Sequence, residues 1–317
     1  MKGLSKVSVK QVEIGPETAG QRVDNFLLKV CKGVPKSHIY RILRSGEVRV
    51  NSGRVDATYK LQEGDRVRIP PLRLGASVAP SKPPAFELPL LYEDEGLIAA
   101  NKPAGLAVHG GSGISYGVIE QLRLARPEAK FLELVHRLDR DTSGLLLLAK
   151  KRAVLTAMHE LIRNGQMEKR YLVLVHGQWA AGKQHVKLKL QSYVTGAGER
   201  RVRVDDAGRE SHTVFDLKQA CGDYSLLQAQ LKTGRTHQIR VHLAQLGFPI
   251  AGDDKYGDFE LNKRLAKQGL KRMFLHAWKL AFVHPLDGET LKLEAPLPLE
   301  LVNFVSALKL DADVKTI

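Results

Sequence analysis

Two carboxylates, Asp139 and Asp141, stand in the string His-Arg-Leu-Asp-Arg-Asp-Thr-Ser-Gly at 136–144, flanked by Arg137 and Arg140. Positive neighbours favour the ionised form of an acid, which a carboxylate nucleophile requires. Apolar runs bracket the string: Phe131, Leu132, Leu134 and Val135 before it, Leu145 to Ala149 after it. Short apolar runs of this kind read as buried strands. The polar string is then a loop pinned between two core strands, with Thr142, Ser143 and Gly144 turning back into the sheet. Pinning orders side chains as catalysis needs. Charge and turn pattern alone would also fit a surface turn.

Arg235 belongs to a second string, Thr233 to Leu243. Thr233 and Gly234 form a turn after the strand 226–231, and the spacing predicts a helix over 236–246, with Ile239, Leu243 and Leu246 as its apolar stripe and Gly247 past its end. Arg235, at the helix entrance, can reach a pocket. His237 and His242 are five apart and do not share a face, so they are poor joint metal ligands. Further strands are expected at 90–92, 97–100, 132–135, 145–149 and 171–175, helices at 114–124 and 152–164, and a long hairpin over 191–210. The mixture predicts an α+β fold, one sheet with helices on its faces.

The net charge is +15, which points to a polyanionic partner. Residues 1–82 hold 16 Lys/Arg against 7 Asp/Glu, a net of +9, so a quarter of the chain supplies most of the field. Within it, 20–70 reads as a small module after an extension at 1–19. A helix begins near Arg22, a Gly-Val-Pro-Lys-Ser turn follows at 33–37, and a second helix carries Ile39, Ile42 and Leu43. Lys36, Arg41 and Arg44 give that helix a basic face. A hairpin turning at Ser52–Gly53 adds Arg49 and Arg54. Such a patch reads phosphates and shape rather than base sequence. Residues 71–88 are a Pro-rich linker, and 89–317 form the second domain. Two cysteines without metal spacing, the lack of a secretory h-region and the lack of a long apolar run give the expectation of a reduced cytoplasmic protein.

The string at 136–144 resembles the signature of the RluA-type pseudouridine synthases. Residues 20–70 resemble the S4 RNA-binding domain through Arg-Val-Asp-Asn-Phe-Leu and Ile-Tyr-Arg-Ile-Leu-Arg-Ser-Gly-Glu-Val-Arg-Val-Asn. Asn101-Lys102-Pro103-Ala104-Gly105, Val108-His109-Gly110-Gly111, Lys169-Arg170-Tyr171, the 233–243 string and Phe274-Leu275-His276-Ala277-Trp278 fit the same family. The S4-bearing enzymes of large-subunit (23S) rRNA are the most similar. The resemblance implies a pseudouridine synthase fold with a mixed, largely antiparallel sheet. It implies Asp139 as nucleophile, with Asp141 at a variable position and without a role. It also implies Tyr171 stacked on the target base and acting as acid or base, and Arg235 ion-paired to Asp139. Arg137 joins the module's basic residues as an RNA contact, and the 101–111 segment is a wall of the site.

The implied isomerisation breaks the N1–C1′ bond of uridine, rotates the base and rejoins it through C5. It needs no cofactor or metal. The carboxylate can attack C1′, add to C6 or remove a C2′ proton, and the sequence leaves these open. The uridine must leave its stack, which costs a few kcal/mol. The expected partner is rRNA, free or in an assembly intermediate, with the chain a monomer. Two other classes are a non-catalytic rRNA-binding factor and a glycosidase using Asp139 and Asp141. The presence of Asp139, Tyr171 and Arg235 together disfavours the first. The basic charge and 6% aromatic content disfavour the second.

Overall fold

A computed structural model describes residues 9–31, 33–72, 88–110, 116–196 and 199–310. Most of the linker at 71–88, the first eight residues and the last seven lie outside them. The chain divides into two units, Met1–Pro84 and Ala85–Ile317.

In the first unit, helices Val23–Val30 and Lys36–Arg44 pack on a three-stranded antiparallel sheet ordered Lys10–Glu13, Arg66–Ile69, Arg49–Val50. Residues 10–19 are therefore part of the module rather than an extension. Val12 lies opposite Val67, and Ile14 is buried in the core with Phe26, Leu27, Ile39 and Ile42. The hairpin turns at Asn51 and Ser52, one residue earlier than expected. Both take left-handed φ, 50° and 69°, and Val50 and Gly53 exchange backbone hydrogen bonds across them. Asn tolerates that conformation, which two-residue hairpins demand. Gly46 ends the second helix at φ 75°, and a Cβ there would lie 2.3 Å from Arg54 Nε. Arg54 thus lies over the helix end and joins the basic hairpin to the basic helix. Lys36, Arg41, Arg44 and Arg54 are exposed, and Arg49 is half-buried.

The second unit is built on an eleven-stranded sheet. At its centre Glu168–His176 lies between Tyr224–Leu231 and Leu275–Val283, with Ser143–Ala149 next. Leu275–Val283 pairs with Ser143–Ala149 in parallel, and the other pairings are antiparallel. The sheet continues on one side through Leu97–Lys102 and Leu90–Glu93. On the other it continues through Arg209–Cys221, Lys183–Val194 and Arg200–Val204. The expected hairpin over 191–210 is the outer part of that meander, apart from residues 197 and 198, which are outside the described set.

Ser143–Ala149 is buried at all seven positions, so its apolar run records burial on both faces. The parallel pairing puts Gly144 at φ 107° directly against Ala277, whose carbonyl oxygen would lie 2.2 Å from an added Cβ. Only glycine fits there, and this fixes where the 136–142 loop enters the sheet. Helices Val118–Ala125, Arg152–Arg163 and Gln238–Gln245 cover the sheet. The tail beyond Asn303, silent in the sequence, buries Phe304, Val305 and Leu310 in an apolar cluster with Leu261, Leu265 and Phe274.

Candidate active site

Asp139, Tyr171 and Arg235 line one cavity of about 610 Å3, together with Arg137, Lys169 and His237. Asp139 comes from the pinned loop, whose Thr142 N–H donates to the Asp139 carbonyl at 3.2 Å. Asp141 does not line the cavity and turns outward to Arg140 at 3.1 Å.

The cationic partner of Asp139 is Arg240, not Arg235. Arg240 Nη1 stands 3.4 Å from Asp139 Oδ2. The expected helix begins two residues late, at Gln238, so Arg235 remains in the exposed turn and donates through Nε to the Glu210 carbonyl at 3.0 Å. Arg240, in the first helical turn, is 2% exposed. Its Nε and Nη2 grip Asp253 bidentately at 2.7 and 2.6 Å. Burial is the largest single influence and works against both charges, and the hydrogen bonds and charge attraction between them together outweigh it, holding the guanidinium up and the Asp253 carboxyl down.

Gln238 shapes the turn. Its amide donates to the His212 carbonyl and Thr213 Oγ1, and its carbonyl accepts from Thr233 Oγ1 and the Arg235 N–H. These four bonds hold His237 at φ 53°, a conformation non-glycine residues seldom keep without a cause. His237 Nε2 then stands 4.0 Å from Asp139 Oδ1.

Tyr171 is 7% exposed, and burial, reinforced by the Asp139 charge, pushes its phenol well above the ordinary value. At neutral pH it therefore keeps its proton and presents an aromatic side chain to the cavity. Lys102 is fully buried, and its three N–H donors meet three carbonyls: Pro103 at 2.8 Å, Leu106 at 2.8 Å and Arg140 at 2.9 Å. It ties the 103–106 wall to the residue after Asp139. Desolvation brings it down to about 7, against the pull of Asp141 and Asp139.

Two histidines support the site from behind. His276 Nδ1 meets Ser143 Oγ at 2.8 Å, and His242 Nε2 meets Ser211 Oγ at 2.7 Å. Both are fully buried, and desolvation pulls each down to about 4. From the ordinary 6.5 down to about 4, the unfolded chain takes up protons that the native state refuses. Stability is therefore lost as the pH falls through that window. For two such groups the expected slope is about 2.7 kcal/mol per pH unit. Denaturant titrations between pH 6.5 and 4.5 check it, and His242→Gln should lower the slope by about 1.4 kcal/mol per pH unit, the share of one group.

Residues 96–245 match the RNA pseudouridylate synthase family, and residues 21–67 match the S4 domain. Ribosomal large subunit pseudouridine synthase C of Pasteurella multocida (strain Pm70) is 51% identical over 308 residues, 95% of this chain and 94% of the relative. The protein of that name from Escherichia coli (strain K12) is 53% identical over 310 residues, 95% of this chain and 97% of the relative. The chain belongs to the pseudouridine synthase family. Among solved structures, human RNA pseudouridylate synthase domain containing 4 superimposes on the synthase with a TM-score of 0.57 at 27% identity. That match covers 70% of this chain and 93% of the other.

The synthase is thus an RNA-modifying isomerase with an S4 domain, and its sheet is the mixed, largely antiparallel one expected. Among the described residues no helix is long and apolar enough to cross a membrane, and no three His, Cys, Asp or Glu side chains converge as metal ligands. The sequence reading missed Arg240, Asp253, Lys102 and Lys169. A Gly-Asp-x-x-Tyr-Gly turn at 252–257 was the available signal for Asp253: Gly252 sits at φ 78° with no room for a Cβ.

Proposed function

We propose that this synthase isomerises specific uridines of large-subunit (23S) rRNA, with Asp139 as the nucleophile. The observation that carries this reading is the placement of Asp139. It stands in a cavity wide enough for a flipped nucleoside, beside a buried arginine clamped by a second carboxylate. The substrate class rests on relatives above 50% identity that are named for the ribosomal large subunit. Tyr171 is the platform for the flipped base and a phenol donor. Arg240 pairs with Asp139 and holds it in place, the role first expected of Arg235. Arg235 and Arg137, both exposed at the cavity, serve the RNA strand. Two unpaired cysteines, Cys31 and Cys221, fit a reducing cytoplasm.

The reaction moves C1′ from N1 to C5. The hydrogen on C5 leaves to solvent and N1 gains one, so each turnover on 5-tritiated uridine releases one tritium. Purified large-subunit rRNA should release tritium and small-subunit rRNA should not. Equal release from both would overturn the substrate assignment.

The S4 domain supplies affinity rather than chemistry. Arg41→Ala with Arg44→Ala removes two exposed charges from one helix face. The slope of log affinity against log salt should fall by roughly 1.5. The rate at saturating enzyme should stay near wild type. An unchanged slope would remove this helix from the RNA interface.

A further inference from the structure

His237 and Tyr256 form a linked pair beside the catalytic carboxylate. Tyr256 sits in the turn that Asp253 builds, with Asp253 Oδ1 accepting from the Lys255 and Tyr256 N–H groups at 2.8 and 3.1 Å. Its ring faces the Arg240 guanidinium, 5.1 Å from centroid to Cζ. Its hydroxyl oxygen accepts from the Val202 N–H at 2.9 Å, on the sheet's outer strand. The hydroxyl proton is then free to donate. Among the described residues, the acceptor within hydrogen-bond distance is His237 Nδ1, at 2.8 Å. A neutral imidazole that accepts on Nδ1 carries its proton on Nε2. Nε2 is the atom that faces Asp139, at 4.0 Å.

We propose that Tyr256 is a positioning residue that locks His237 in the Nε2–H tautomer, so that a neutral N–H donor faces the Asp139 carboxylate. The inference rests on the reading of Asp139 as the nucleophile. It explains why a histidine is held at a left-handed φ at this point: another backbone angle would swing the ring off the line from Tyr256 to Asp139. Arg201 secures the outer strand to the same turn, donating to the Lys255 carbonyl at 3.2 Å. Burial, with Arg240 and Lys255 nearby, pulls His237 down against Asp139 and Asp253. Burial likewise pushes the Tyr256 phenol up. Both keep the pair neutral, as the lock requires. At 4.0 Å the N–H is a small movement short of hydrogen-bond contact. It serves whichever oxygen closes that gap, the carboxylate's or the target ribose's.

The test is long-range 15N–1H NMR on the full-length protein labelled in histidine, with His237→Gln assigning the resonance. The expected result is a protonated Nε2 and a bare Nδ1 at His237, replaced by a mixture of tautomers in Tyr256→Phe. On rRNA, Tyr256→Phe should lower the single-turnover rate about tenfold with RNA affinity unchanged, the loss expected of one hydrogen bond near the reacting groups. In His237→Gln, the introduced side-chain amide would supply an N–H near the position of Nε2 without help from Tyr256. In that background, Tyr256→Phe should therefore cost less than about twofold more. Protonation on Nδ1 in the wild type overturns the proposal without recourse to any variant. So does a wild-type single-turnover rate in Tyr256→Phe. Asp139→Asn keeps the two readings apart: if it stays active, the nucleophile assignment falls while the tautomer assignment stands.

Discussion

Asp139→Asn is expected to lower the single-turnover rate on large-subunit rRNA by about 10^4-fold or more, while RNA affinity stays near wild type. The substitution keeps the shape of the side chain and removes its charge and nucleophilicity. The fold should tolerate it, because Arg240 retains its bidentate pair with Asp253. A buried guanidinium left with one carboxylate is still paired, which is the condition for avoiding a large penalty. Tritium release and thermal unfolding on the same preparation separate the two effects. Asp141→Asn supplies the contrast. Its carboxylate faces Arg140 outside the cavity and should keep most of the activity. Equal losses in the two variants would mean that loop charge, not one nucleophile, matters.

Arg240→Met should damage both stability and rate. The guanidinium is 2% exposed and stands among three carboxylates: Asp253 at 2.6 Å, Asp139 at 3.4 Å and Asp254 at 3.4 Å. Removing it leaves the fully buried Asp253 without its counter-charge and sets like charges against one another. A loss of about 3–5 kcal/mol in unfolding free energy is the usual cost of breaking such a pair. The rate should fall by about 10^2 to 10^3, because Asp139 loses the group that orients it. Arg240→Lys keeps the charge but cannot grip Asp253 with two parallel bonds, so it should fall between Met and wild type in both measures. Arg235→Ala should leave stability unchanged, since its side chain lies at an exposed turn and, among the described residues, donates to the Glu210 carbonyl alone. If Arg235→Ala were the more damaging of the two, the ion pair seen in the structure would not be the working one.

The exchange of Arg235 for Arg240 shows where sequence reasoning stops. Both arginines belong to one string, and the helix was found from Ile239, Leu243 and Leu246. That helix is buried at every position from Gln238 to Leu243, so its apolar stripe marks no outer face. A periodic pattern locates a charged residue only when the helix has a wet side. Lys102 escaped for a related reason. A lysine between a strand and a Pro-Gly turn reads as surface, and nothing local says that three carbonyls converge on it. The strand Lys10–Glu13 was equally silent, since one apolar residue, Val12, among four makes no alternation. The Asp139 loop was legible as a segment pinned by the apolar runs around it, but charge and turn pattern alone fit a surface turn as well, and its role came from the resemblance of the 136–144 string. The strand around Tyr171 was legible, and the role of the tyrosine came from the resemblance, because a strand tyrosine by itself reads as packing. The basic helix was legible because Ile39, Ile42 and Leu43 fix which face Lys36, Arg41 and Arg44 must occupy. What the chain does locally could be read, and what distant segments do to each other could not.

Asp139 as the nucleophile of uridine isomerisation can be tested in the cell on large-subunit rRNA itself. The most direct measurement is pseudouridine mapping of that RNA from cells lacking the synthase, complemented with wild type, Asp139→Asn or Asp141→Asn. Specific pseudouridines should vanish without the protein, return with wild type and Asp141→Asn, and stay absent with Asp139→Asn expressed at the wild-type level. Restoration of those positions by Asp139→Asn would contradict that role of Asp139.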